Sequence, residues 1–321
     1  MKKIIVGLGF AAAVILGFIT LKKMQAPGHQ AKYTIGTLQT ASHPALDATR
    51  KGFEDELKNL MGDEVAFVVQ NAEGSITNVH TIAHQFHGKR QYAGFFAIAT
   101  PAAQSLGTIE KERPIFIAAV SDPDSLGLIH PNTNVCGTKD MIDIKAGIDL
   151  LIALIPNAKK IGILYSSGET NSTVLVQKMR EDLEARGLTV AEFAMNNEAD
   201  MQAMVESACG KVDALLAPTD NMIGSAASAI ASIALKHKKP FIVSDNMLVK
   251  EGPLAAHGVD YKAGGKRAAQ IAYEVLVGGK KPYELPVERI QDGSIFINKK
   301  TLDTLGLSIP ESLKERVVIV S

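Results

Sequence analysis

The 321-residue chain has no tryptophan, and aromatic residues make up 5% of it. That excludes a protein which reads bases or sugars through many stacked rings, though a few rings would serve one small ligand. Net charge is also missing: 34 Lys and Arg balance 34 Asp and Glu. No bulk attraction to nucleic acid or to an acidic membrane surface follows, so binding must come from a local site. Cysteine is nearly absent, with Cys136 and Cys209 far apart. Two such residues define neither a disulfide framework nor a zinc site, and both read as small buried hydrophobes with free thiols. There is no Gly-x4-Gly-Lys-Ser/Thr loop, no Gly-x-Ser-x-Gly elbow and no paired-cysteine spacing, so neither an enzyme nor a bound cofactor has support.

What the chain does have is 46% hydrophobic and 21% charged residues over a length sufficient for two domains. Met1-Lys2-Lys3 precedes an uncharged apolar stretch from Ile4 to Leu21, followed by Lys22-Lys23. This is an export signal or a single membrane anchor; the length and the lack of a small-x-small cleavage site favour the anchor. No cysteine follows, which closes the lipoprotein route.

From Tyr33 on, short apolar runs alternate with longer amphipathic patterns. Strands are predicted at 33–38, 65–70, 94–98, 115–119, 160–165, 189–194, 214–217 and 240–243, with helices between them. That alternation predicts α/β architecture: two doubly wound, Rossmann-like lobes with parallel sheets, four strands each, around a break near Asn132–Lys139. The tail (a strand at 254–259, a helix at 261–276, then extended segments from Pro282 to Asn298) fits a chain that returns to its first lobe. The expected division is a signal or anchor with linker over 1–32, lobe one over 33–138 plus 259–281, and lobe two over 139–258 plus 282–321.

In open parallel sheets ligands bind beyond the carboxyl ends of strands, so motifs are read there. Thr100-Pro101-Ala102 follows a strand with a hydroxyl N-cap, proline at the first helical position and free backbone N–H groups, an anion-binding corner. Pro218-Thr219-Asp220-Asn221 repeats it in the second half. Ser42 is expected to cap the first helix, with His43 or Asp47 facing a cleft or solvent. Asp122 is a ligand group or an Asx-turn residue. The loop 166–172 offers hydroxyls and N–H groups to an anion. Asp245 is a carboxylate at a strand end, a helix cap as readily as a ligand contact. His80, His84 and His87 share a helix face but lack supporting ligands, and are read as a solvated polar stripe, with no metal.

Taken together, His43-Pro44-Ala45-Leu46-Asp47, Ala99-Thr100-Pro101-Ala102-Ala103-Gln104, Val120-Ser121-Asp122-Pro123, Asn171-Ser172, Pro218-Thr219-Asp220-Asn221 and Gly258-Val259-Asp260-Tyr261 resemble the substrate-binding family of ABC transporters for aromatic amino acids. The resemblance spans about Tyr33 to Leu307. It implies a type I periplasmic-binding-protein fold, two lobes joined by crossover strands, which closes on a small solute and delivers it to a membrane permease with its ATPase. The run Tyr165-Ser166-Ser167-Gly168-Glu169 departs from the Tyr-Asn-Pro-x-Glu pattern of that family. On this reading an amino acid with an aromatic or large apolar side chain binds through its carboxylate to Thr100 and the N–H groups near Ala102. Asn171 and Ser172 close from lobe two, and Asp245, then Asp220, takes the ammonium. The alternatives are an extracytoplasmic ligand-sensing domain, or a binder of a nucleoside or short peptide. Location is expected outside the cytoplasm, with the membrane touched by the N-terminal segment alone.

Overall fold

Short runs of β-branched and aromatic residues that can be buried on both faces suit the inner strands of parallel sheets. The computed structural model, which describes residues 31–290 and 294–321, places them there. The first half runs β1 (Tyr33–Gln39), α1 (Pro44–Met61), β2 (Val65–Asn71), α2 (Ile76–His87), β3 (Gly94–Ile98), α3 (Thr100–Ile109), β4 (Ile115–Ala118) and β5 (Val135–Lys139). The second runs α4 (Ile144–Leu154), β6 (Lys160–Ser166), α5 (Thr170–Ala185), β7 (Thr189–Met195), α6 (Met201–Cys209), β8 (Ala214–Ala217), α7 (Asn221–Lys236), β9 (Phe241–Val243) and β10 (Ala255–His257). The tail adds α8 (Tyr261–Leu276), β11 (Glu288–Arg289), β12 (Ile295–Asn298), α9 (Lys299–Thr304) and β13 (Val317–Val320).

Two sheets form, one per lobe. The first has the order β11-β5-β4-β3-β1-β2 and is parallel throughout. The second has the order β13-β12-β10-β9-β8-β6-β7 and is parallel except for the antiparallel pair β10 and β12. The eight expected strands all form, but the four-and-four division falls short. The segment read as a break contains β5, whose Gly137 sits at φ 138 where a side chain would overlap the backbone of Ile117. A strand of Val-Cys-Gly-Thr-Lys carries too little apolar pattern to be seen. Glu288–Arg289, which the sequence reading put in lobe two, pairs with β5 of the first sheet. The chain therefore crosses between lobes after β5, after β10 and after β11.

The return to the first lobe is made by α8, which lies along α1. Gly52 and Gly265 allow it: a Cβ on Gly265 would overlap the carbonyl of Thr49, and one on Gly52 the carbonyl of Lys262. Beneath them Phe53 stacks on Phe96 with ring centroids 3.7 Å apart. Cys136 and Cys209 are free, buried and in the cores of different lobes. The predicted signal or anchor lies outside the described residues. Among the described residues no helix is long and apolar enough to cross a membrane.

Candidate functional site

In both sheets the strand order reverses beside the first strand, β1 lying between β2 and β3, and β6 between β7 and β8. Loops leaving two such strands diverge to opposite faces, and a crevice opens beyond their carboxyl ends. The two crevices face each other. His43, Thr100 and Ser121 line the cleft from the first lobe, Asn171, Asp220 and Asp245 from the second, and Asp140 and Tyr261 from the crossovers. The lobes touch directly: His43 Nε2 is 3.4 Å from Asn221 Oδ1, and the hydroxyls of Ser121 and Thr219 are 3.1 Å apart. A free volume of about 30 Å³ remains between them, room for one or two waters.

The charges in this cleft are of one sign. Asp140, Asp220 and Asp245 line it, and among the described residues no Lys or Arg does. Asp245 accepts the Met247 N–H at 2.8 Å, and its carboxyl is pushed up to about 7, first by burial and then by the neighbouring Asp140. Asp140 is raised by burial; its Oδ2 accepts the Tyr261 hydroxyl at 3.0 Å, and its Oδ1 has no hydrogen-bond partner among the described residues. His43 is 8% exposed, with Nδ1 unpartnered, and burial lowers it to about 4, so the imidazole is neutral at ordinary pH.

The two helix corners expected to hold an anion differ. At α7 the donors are already taken. Asp220 accepts the N–H groups of Ile223 at 2.9 Å and Ser166 at 2.6 Å, and the Ser172 hydroxyl at 2.7 Å. Glu169 accepts the Asn221 N–H at 3.0 Å and the Met222 N–H at 3.3 Å, and burial with the Asp220 charge pushes it up to about 8. A ligand carboxylate there would meet two carboxyls. At α3 the N-cap is Ala99, with no side-chain cap, and Thr100 is the first helical residue rather than the cap the sequence suggested. Its helix N-terminus faces the cleft without a carboxylate of the protein's own.

Of the residues singled out from sequence, His43, Thr100, Asn171, Asp220 and Asp245 line the cleft. Three do not. The Ala102 side chain is in the core of the first lobe, which leaves its backbone N–H, the group the sequence pointed to, at the start of α3. Ser172 is fully buried with its hydroxyl committed to Asp220. Asp122 lies beside the cleft, 3.7 Å from Lys178 of the other lobe, and accepts the Ser125 N–H at 3.3 Å in the expected Asx manner. Ser42 bonds Asp47 instead of capping α1. His80, His84 and His87 are all exposed, the solvated stripe expected, although Nδ1 of His80 lies 2.9 Å from Ser105 Oγ and Nδ1 of His87 3.1 Å from Glu110. Sequence reasoning missed Asp140, which follows the strand it missed, and gave Tyr261 and Glu169 no role although both lie in motifs it singled out.

The sequence profile of ABC transporter substrate-binding proteins matches residues 34–319. The chain belongs to that family. This substrate-binding protein is 34% identical over 280 residues to a tyrosine-binding protein of Clostridioides difficile, covering 85% of this chain and 81% of that one. A Streptococcus pneumonia ABC domain solved in complex with L-Trp is 35% identical, with a TM-score of 0.85, covering 90% of this chain and 99% of that one. The ligand-free, open structure of a Clostridium difficile substrate-binding protein with adhesive properties is 34% identical with the same coverage, yet its TM-score is 0.66. At nearly the same identity, this substrate-binding protein matches the L-Trp complex with the higher TM-score. The family is in general non-enzymatic and works outside the cytoplasm.

Proposed function

We propose that the protein captures an α-amino acid with a large side chain between its lobes and delivers it to a membrane permease, held at the membrane by residues 4–21. The observation that carries this reading is the charge of the cleft, three buried aspartates and, among the described residues, no Lys or Arg. A ligand that brings a cation relieves the repulsion between Asp140 and Asp245, which a neutral sugar or an anion does not. The ammonium sits between these two carboxylates, beside the Tyr261 hydroxyl. The ligand carboxylate meets the Thr100 hydroxyl and the N–H groups opening α3. Asn171 closes over the ligand from lobe two, and Asp220 holds the second wall in place. The L-Trp complex and the tyrosine-binding relative support a large aromatic side chain.

Titration calorimetry of the purified protein against the amino acids tests this. Binding of at least one large amino acid is expected, and Asp245→Asn should weaken it by about 1.5–3 kcal/mol through loss of a charge-assisted contact. Binding that survives the substitution unchanged would remove Asp245 from the site, and no binding of any amino acid would remove the ligand class.

A further inference from the structure

The volume between the closed lobes is in the wrong place for a large side chain if only the central cleft is considered. That cleft offers about 30 Å³, whereas a second cavity of about 290 Å³ lies beside it. The two share a wall made of Ser121 and Asn171. From the geometry we infer that this lateral cavity is the side-chain subsite of the bound amino acid. The inference rests on the proposed function and adds to it where specificity is decided.

Four observations carry it. Part of the lateral cavity's wall is Leu126, Met141, Ile144, Val174 and Leu175, an aliphatic and thioether stretch that suits a bulky ring or branched chain, with Asp143 and Arg289 also on the lining. Its walls come from both lobes and from the crossover after β5, so it exists as a cavity only when the lobes are closed. Its rim carries Asp122 and Lys178, which pair at 3.7 Å across the two lobes and put polar groups where the far end of a long side chain arrives. At the junction Asn171 is 7% exposed; its Nδ2 donates to the Thr219 carbonyl at 3.0 Å, and its buried Oδ1 has no partner among the described residues. Asn171 lines both the head-group cleft and the cavity, so a ligand N–H or O–H passing between them is the group that would satisfy this acceptor.

Such a subsite discriminates by side-chain volume, with the head-group contacts common to all amino acids. Filling it therefore changes the ranking of ligands, whereas damage to the head-group site lowers all affinities alike. The experiment is calorimetry on the full chain and on Val174→Phe and Val174→Ala, with amino acids graded in side-chain size from alanine through leucine to phenylalanine, tyrosine and tryptophan. In Val174→Phe the largest ligands are expected to lose affinity by at least about tenfold relative to the smallest that binds, and Val174→Ala should shift the ranking the other way. Circular dichroism and melting curves identify a variant that has failed to fold, in which case the opposite substitution decides. A parent that binds amino acids, with variants that keep its ranking or weaken all ligands equally, overturns the subsite and leaves the function standing. A parent that binds none overturns the function and the subsite with it.

Discussion

The imidazole of His43 rests on the backbone of Gly224 from the opposite lobe, so closely that a Cβ added at Gly224 would lie 3.1 Å from three ring atoms. A side chain at that point requires the His43 ring, or the lobe that carries it, to give by a few tenths of an ångström. Gly224 lies in the first turns of α7, where alanine would favour the helix by about 1 kcal/mol. Gly224→Ala should therefore leave the lobes as stable as before, or more so, while disfavouring closure. Weaker ligand binding with an unchanged or higher melting temperature, and a larger radius of gyration in the presence of saturating ligand, are the expected outcomes. Unchanged affinity would show that the contact does not limit closure.

Binding should depend on pH in one direction. Asp245 has its carboxyl raised to about 7, so below that pH it holds a proton that an incoming ammonium must displace. Affinity is expected to be flat from about pH 8 until the ligand's own ammonium deprotonates, and to fall by up to about tenfold per unit below 7, steeper where Asp140, also raised, takes up a second proton. Near pH 7 calorimetric enthalpies should vary with the buffer's ionisation enthalpy as the proton is released. For stability without ligand the sign is the reverse. A carboxyl whose folded value is raised holds a proton that the unfolded chain has already given up, so its contribution falls as pH rises from about 4 to about 7. A pH-independent affinity from 5 to 9 would mean that Asp245 does not face the ammonium.

At the end of β3, Ala99 adopts φ 75 and ψ 162, a region that belongs almost entirely to glycine. Ala119, at the end of the neighbouring β4, is also at positive φ, 57, and lines the cleft. The strain at Ala99 turns the chain so that α3 starts beside the cleft with its N–H groups free of a side-chain cap. Ala99→Gly should raise stability by about 1 kcal/mol, strain relief of about 1–3 outweighing the added entropy of the unfolded chain. Denaturant titration measures it. A loss of stability instead would mean that the conformation carries no strain.

Much of this arrangement is legible in the sequence because α/β lobes write their periodicity plainly: buried runs such as Phe95-Phe96-Ala97-Ile98 and capped helices fix which residues stand at strand ends. That is why Thr100, Asn171, Asp220 and Asp245 could be singled out before any coordinates. Two kinds of information were hidden. The short, glycine-bearing β5 gives no clear pattern, and Asp140 is hidden with it, whereas β11 reads as part of an extended segment but its place in the first sheet does not. The division of labour among polar residues depends on partners far away in the chain. Ser172 and Asn171 are adjacent in sequence, yet one hydroxyl is spent on Asp220 while the other residue keeps a free oxygen at the passage to the lateral cavity. Likewise the helix end at α7 looks like an anion site until Glu169 and Asp220 are seen to fill it.

The seam of Gly52 and Gly265 between α1 and α8 also bears on how the molecule comes to be. Phe53 and the first sheet are covered by a helix that is synthesised only after most of the second lobe. The first lobe cannot finish folding as it emerges, however early its strands pair, since one face stays bare until residue 276 is available. Contacts this distant in sequence make for slow completion. The second lobe, by contrast, lacks β12, α9 and β13 when α8 arrives. In refolding, protection of amide protons should therefore appear in β6 to β9 before it is complete in β1 to β4, and the newly made chain stays open for most of its length, in the form a narrow exit can pass.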